Sequence, residues 1–93
     1  MTAEAEKKVK IRILYFASIR EKLGRDAEEI ELPEDVSTIA SLRSHLRSRG
    51  GVWADALAEN RLLRTAVNQD MAPPAAAVKA GDEVAFFPPV TGG

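Results

Sequence analysis

A single well-defined amphipathic helix lies in the middle of an otherwise strand-patterned chain, and that leaves few folds open. Thr38 is placed to cap it, and Ile39, Leu42 and Leu46 recur at i, i+3 and i+7. Arg47 and Arg49 fall in the last turn, where cations favour the negative helix end, and Gly50-Gly51 stops it. Before this helix, Val9, Ile11, Ile13 and Tyr15 alternate with Lys10, Arg12 and Leu14, a period of two that predicts a strand. Leu14 and Phe16 imply that its far end is covered on both sides. Phe16, Ile19 and Leu23 then stand at helical spacing, so a short helix is expected from Ala17 to a stop at Gly24. Ala27–Leu32 reads as a second strand with Ile30 and Leu32 inward, Glu29 and Glu31 outward, and Pro33 at its end. The short connection makes this pair antiparallel.

After the helix, Val52–Ala58 suits another helical turn that lays Trp53 and Leu57 on the core edge. Leu62–Val67 reads as a strand and Asn68-Gln69-Asp70 as the turn that follows. Met71–Val78, with two prolines and four alanines, predicts an edge or irregular crossing. Gly81-Asp82 turns the chain into a last apolar strand, Glu83–Phe87, ended by Pro88-Pro89. One helix between two early and two or three late strands acts as the crossover that lets non-neighbouring strands lie parallel. The expected class is therefore α+β: a β-grasp, a mixed sheet packed on one main helix with short extra helices. An α+β sandwich of similar composition fits the same pattern. The polar residues 1–8 are expected to be a disordered extension, 9–87 the domain, and 88–93 an extended tail.

Ninety-three residues, 45% of them apolar, fit one modest core and no additional cofactor domain. A formal charge of -1 argues against a nucleic-acid backbone binder. No cysteine is present, which removes disulfides, thiolate nucleophiles and Cys-ligated metal, and with one histidine, His45, only a carboxylate-only magnesium site stays open. No metal is expected. With no signal-peptide core and no spanning segment, the expected setting is the cytoplasm, without membrane contact. Among side chains, Glu28, Glu29 and Glu31 read as a solvated strand face, and His45 as a surface residue on the helix flank. Arg43, Arg47, Arg49, Arg61 and Arg64 read either as helix-end compensation and solubility or as a docking patch for an acidic partner.

The chemistry points to the chain's end. Tandem prolines favour a stiff exit from the sheet, and the six residues from Pro88 to Gly93, at about 3.3 Å each, reach about 20 Å. Gly92 and Gly93 lack a β-carbon, so they pass a narrow channel and leave the terminal carbonyl open on both faces. An α-carboxylate there is ionised at neutral pH and, once coupled to a nucleotide phosphate, becomes an acyl group open to sulfur or amine attack.

The stretch Gly81-Asp82-Glu83-Val84-Ala85-Phe86-Phe87-Pro88-Pro89-Val90-Thr91-Gly92-Gly93 resembles the C-terminal signature of the sulfur-carrier small subunits of molybdopterin synthase, which are ubiquitin-like β-grasp proteins. Ile13–Ala17 with Arg20-Glu21, Thr38–Leu46, and Leu62-Leu63 with Ala66–Gln69 resemble the first strand, helix and central strand of that family, so the likeness runs from Val9 to Gly93. It departs in the polar N-terminal extension and in Ala72–Ala77, where the family is more strand-like.

The resemblance implies that Gly93 is adenylated by a ubiquitin-activating-type adenylyltransferase using Mg-ATP, and that a sulfur donor protein then converts it to a thiocarboxylate. That sulfur is delivered to cyclic pyranopterin monophosphate within the complex with the synthase large subunit. The chain itself binds no cofactor, and the catalytic side chains belong to the large subunit. Gly92 gives clearance, and Pro88, Pro89, Val90 and Thr91 form the threaded stalk. Phe86 and Phe87 anchor it, one toward the core and one toward the partner. Two other roles share the Gly-Gly end: a sulfur carrier for thiamine thiazole synthesis, and a protein modifier joined to lysines. A β-grasp interaction module with an inert tail is the fourth reading.

Overall fold

The computed structural model describes residues 9–89; the expected disordered extension 1–8 and the tail residues 90–93 lie outside that range. Five strands and three helices follow in the order β1 (Val9–Tyr15), α1 (Ala17–Leu23), β2 (Ala27–Leu32), α2 (Ile39–Arg47), α3 (Val52–Ala56), β3 (Arg64–Val67), β4 (Asp70–Met71) and β5 (Glu83–Phe87). They form one mixed sheet in the order β2-β1-β5-β3-β4. β1 and β5 run parallel and the other pairs antiparallel, so the last strand in sequence is the middle strand in space. The three helices and the hairpin between β1 and β5 make the connection that a parallel pair demands. This is the β-grasp expected from the element order.

α2 packs on the inner sheet face. Ile39, Leu42 and Leu46, the three residues of its repeat, are buried against Ile11, Ile13, Tyr15, Leu32, Val84 and Phe86. Its start is a reciprocal cap: Thr38 Oγ1 accepts from the Ser41 N–H at 3.1 Å, while Ser41 Oγ accepts from the Thr38 N–H at 3.0 Å. The Pro/Ala-rich crossing lies beside it and serves it: the carbonyls of Ala76 and Pro74 accept from the N–H groups of Ile39 and Ala40. Those N–H groups have no partner within the helix, so a segment too irregular for a strand becomes a cap.

Three expectations are corrected. Phe16 does not extend the first strand under a covering layer: its N–H bonds the Phe86 carbonyl, Ala17 then takes φ +55, and the turn leaves Phe16 44% exposed. The strand expected from Leu62 starts at Arg64, because Arg43 clamps the preceding loop: its guanidinium donates to the carbonyls of Ala58 and Arg61, and its Nε to that of Leu57. Asp70 is not part of the turn. Asn68 and Gln69 alone, at φ +52 and +73, form a two-residue hairpin loop of the kind that matches strand twist, and Asp70 pairs with Val67.

Glu28 is a further correction, since it is not a solvated carboxylate. It accepts the Tyr15 hydroxyl at 2.6 Å, Arg49 at 2.9 Å and Arg25 at 3.0 Å, while Arg49 also stacks 4.3 Å from the centre of the Trp53 ring. Trp53 meets Tyr15 edge-on at 5.7 Å. This network ties β1, β2, the end of α2 and α3 together under the far end of the sheet.

Candidate functional site

β5 alternates, and its alternation sets the geometry of the chain's exit. Val84 and Phe86 are fully buried; Phe86 stacks parallel to Tyr15 with centroids 6.4 Å apart. Phe87 faces the other side of the sheet, half-buried, and meets the Phe16 ring edge-on at 6.4 Å. Because β5 is hydrogen-bonded on both edges, to β1 through Tyr15↔Phe86 and to β3 through Arg64↔Phe87, its last residues are fixed before the chain leaves the sheet. Pro88 and Pro89 follow, both half-buried. Proline donates no N–H to a ladder, which is why pairing ends at Phe87.

The outer sheet face beside this exit is apolar. Register places Leu14, Ala85, Ala66 and Met71 in one row across four strands, with Phe87 and Arg64 in the next. Met71 is 59% exposed, and Phe16 completes the patch at Phe87. From the sequence, Phe16 is expected under cover and Met71 in an irregular crossing, and neither is expected on a docking face. The signal that would have found them is that an outward Phe87 needs same-face neighbours on the flanking strands.

Two grooves flank the exit. Pro88 lines one with Ile19, Lys22 and Leu63; Pro89 lines the other, about 660 Å³, with Leu62, Met71 and residues of α2. Leu62, 81% exposed, is shared by both. The five arginines divide. Arg43 is spent on three backbone carbonyls, and burial and then the neighbouring Arg47 charge hold its pKa below the ordinary range. Arg49 joins Glu28 and Trp53, and Arg61 pairs with Asp55 at 3.3 Å. Arg47 reaches the exposed Glu59 at 3.4 Å, and Arg64 has no ion-pair partner among the described residues.

Of the residues expected to act, Phe86, Phe87, Pro88 and Pro89 are thus placed, whereas Val90, Thr91, Gly92 and Gly93 lie outside the described residues. Among the described residues no group of three or more His, Asp or Glu side chains could hold a metal ion, and no helix is long and apolar enough to cross a membrane. No buried side-chain polar atom among them lacks a hydrogen-bond partner, so the domain interior offers no orphaned group for chemistry.

Comparison with known proteins agrees with this geometry. The model of the ThiS family matches residues 13–93. A molybdopterin synthase sulfur carrier subunit from Haemophilus influenzae is 49% identical over 83 residues, covering 89% of this chain and 99% of the relative. A solved structure described as a putative molybdopterin converting factor subunit 1 from Pyrococcus furiosus superposes with a TM-score of 0.72 at 32% identity, covering 88% of this chain and 99% of that one. The fold also matches a chain from a protein–protein complex of subunits 1 and 2 of the molybdopterin-converting factor of Helicobacter pylori, with TM-score 0.60 and 21% identity over 91% of this chain and 100% of that one. A ubiquitin-like β-grasp whose family match runs to its last residue, this chain belongs to the ThiS family, beside the molybdopterin synthase sulfur carrier subunits.

Proposed function

We propose that this chain is the sulfur carrier of a molybdopterin synthase and that Gly93 is its working residue. The observation that carries the reading is the position of β5: the central strand, locked on both edges, ends at a Pro-Pro step on the surface only four residues before Gly93. A rigid body thereby holds a short, side-chain-poor end. In the first step the Gly93 carboxylate attacks the α-phosphorus of Mg-ATP on a ubiquitin-activating-type adenylyltransferase, releasing pyrophosphate. A sulfur nucleophile supplied by a donor protein then displaces AMP from the acyl carbon, leaving a thiocarboxylate. In the complex with the large subunit the thiocarboxylate sulfur attacks cyclic pyranopterin monophosphate, water then cleaves the acyl–sulfur bond and restores the Gly93 carboxylate, and two such deliveries supply both sulfurs of the dithiolene.

The chain's own residues bind and orient. Phe86 fixes the strand, Phe87 with Phe16 and Met71 offers the partner an apolar face, and Pro88, Pro89, Val90, Thr91 and Gly92 present the end; the reacting side chains and Mg-ATP belong to the partners. Support comes from the 49% identical sulfur carrier subunit and from the complex of subunits 1 and 2 in a protein of the same fold.

The test is the intact mass of this chain after incubation with the activating enzyme, ATP and a sulfur donor. The expected product has one oxygen replaced by sulfur and donates that sulfur to the pterin precursor when the large subunit is added. Thiocarboxylate that forms but rescues a thiazole-deficient strain, and not a pterin-deficient one, would move the chain to thiamine synthesis. Gly93–lysine adducts in place of thiocarboxylate would make it a protein modifier.

A further inference from the structure

The groove beside Pro89 has a composition that the tail chemistry does not explain. Its exposed lining is apolar at Leu62 and Met71, while Arg47 and Arg64 stand among its lining residues. Arg64 has no ion-pair partner among the described residues, and Arg47 meets only Glu59, whose side chain is 83% exposed, at 3.4 Å. Beneath them Arg43, held by three carbonyls, adds a fixed positive charge that no carboxylate contacts among the described residues. Three cations against Glu59 make this place basic in a chain whose formal charge is -1. An isolated arginine loses little by staying in water, but cations gathered around an apolar trough favour an occupant that brings both carboxylate and apolar side chains.

The location selects the occupant. Pro89 forms part of the groove and residues 90–93 follow it directly in the chain, so a protein that grips those residues is brought within a few residues of the groove. We infer that this groove, between α2 and the β3–β4 edge, seats an extended acidic segment of the large subunit, one with an Asp or Glu for Arg64 and Arg47 and an apolar neighbour for Leu62. This rests on the carrier reading above, and goes beyond it by adding a second contact, continuous with the outer sheet face through Met71 and Arg64, that sets capture more than chemistry. Charged rims steer encounter and fix register, so the contact governs how readily the carrier is found.

The experiment uses the full chain with its activating enzyme and with its large subunit, measuring KM for the chain and kcat across a salt series. Arg64→Glu and Leu62→Asp both sit at exposed positions. Either is expected to raise KM about tenfold with the large subunit and leave kcat within about twofold, and Arg64→Glu should flatten the salt dependence seen in the wild-type chain. Unchanged Tm separates this from misfolding, and a charge reversal of the matching acidic residue on the enzyme should restore the KM of Arg64→Glu. Wild-type KM values for both variants with the large subunit, while the wild-type chain turns over normally, overturn the inference and leave the carrier reading standing, whatever the activating enzyme shows. Arg64-dependent binding of a single-stranded oligonucleotide, with enzyme KM unmoved, overturns it in favour of a nucleic-acid site. A wild-type chain that neither enzyme accepts overturns the carrier reading and this inference together.

Discussion

Glu28 shows how much one side chain can decide in a small core. Burial raises the cost of its charge, but the Tyr15 hydroxyl and the Arg49 and Arg25 guanidinium groups outweigh that, and its pKa lies below the ordinary carboxylate range. The same contact, with burial as the larger cause, pushes the Tyr15 hydroxyl up, so it stays protonated and donates at every physiological pH. A depressed folded-state pKa contributes stability that is present above the unfolded value, about 4.3, and is lost as pH falls through the folded one. Acidification from about pH 5 should therefore destabilise the wild-type chain more steeply than Glu28→Gln, whose own cost at pH 7 should be about 2 kcal/mol because three donors lose a charged acceptor. Urea unfolding of both chains between pH 3 and pH 7 checks this. Equal slopes would show that Glu28 is solvated in solution, which is what its place among three strand glutamates had suggested. Alternation places Glu28 on the same face as Ile30 and Leu32, but the sequence did not show what holds its charge there, since Tyr15 and Arg49 are 13 and 21 residues away.

At the scale of elements, the period-two and helical patterns were legible wherever one face of an element is wet. β1, β2, α1 and the start and buried face of α2 fall where alternation placed them, because in those segments burial alone dictates the repeat. α2 itself ends at Arg47 with Ser48 as its cap, so it stops short of Gly50-Gly51 and leaves Arg49 beyond its last turn. The pattern failed where a tertiary contact cuts an element short: Arg43 holds Leu62 and Leu63 out of β3, and the left-handed Ala17 turns Phe16 out of β1. The tail motif was legible as sequence, yet the apolar face beside it was not, since Phe16, Met71 and Phe87 adjoin only through sheet register. β5 separates the two roles by parity. Phe86→Ala should cost about 4 kcal/mol, because a fully enclosed ring leaves a cavity at the sheet's centre. Phe87→Ala should lower Tm only slightly but weaken sulfur transfer through a higher KM for the large subunit. Thermal melts and steady-state assays of the pair test the division; a Phe87→Ala chain with unchanged transfer would remove the outer face from the docking surface.

On the scale of the whole molecule, the proposed carrier role separates stability from reactivity. Ten of its largest fully buried side chains, from Ile11 to Phe86, lie within the domain, and the pairing that holds β5 ends at Phe87, so nothing proposed to react takes part in the described core. Such a division suits a carrier that must visit several proteins, because each can recognise the same invariant surface while only the end changes chemical state. It also makes a sharp demand on the last atom. A carboxylate that becomes an acyl-adenylate must be the α-carboxylate of Gly93 itself, whereas an inert tail or an interaction module has no such requirement. One alanine appended after Gly93 moves the free carboxylate by one residue and puts a methyl group beside it. The extended chain should melt at the wild-type temperature, bind the large subunit with little loss, and yield no thiocarboxylate in the intact-mass assay. Retained sulfur transfer by that chain would place the reactive group elsewhere, in a side chain of the domain, and the separation between rigid body and working end would have to be abandoned.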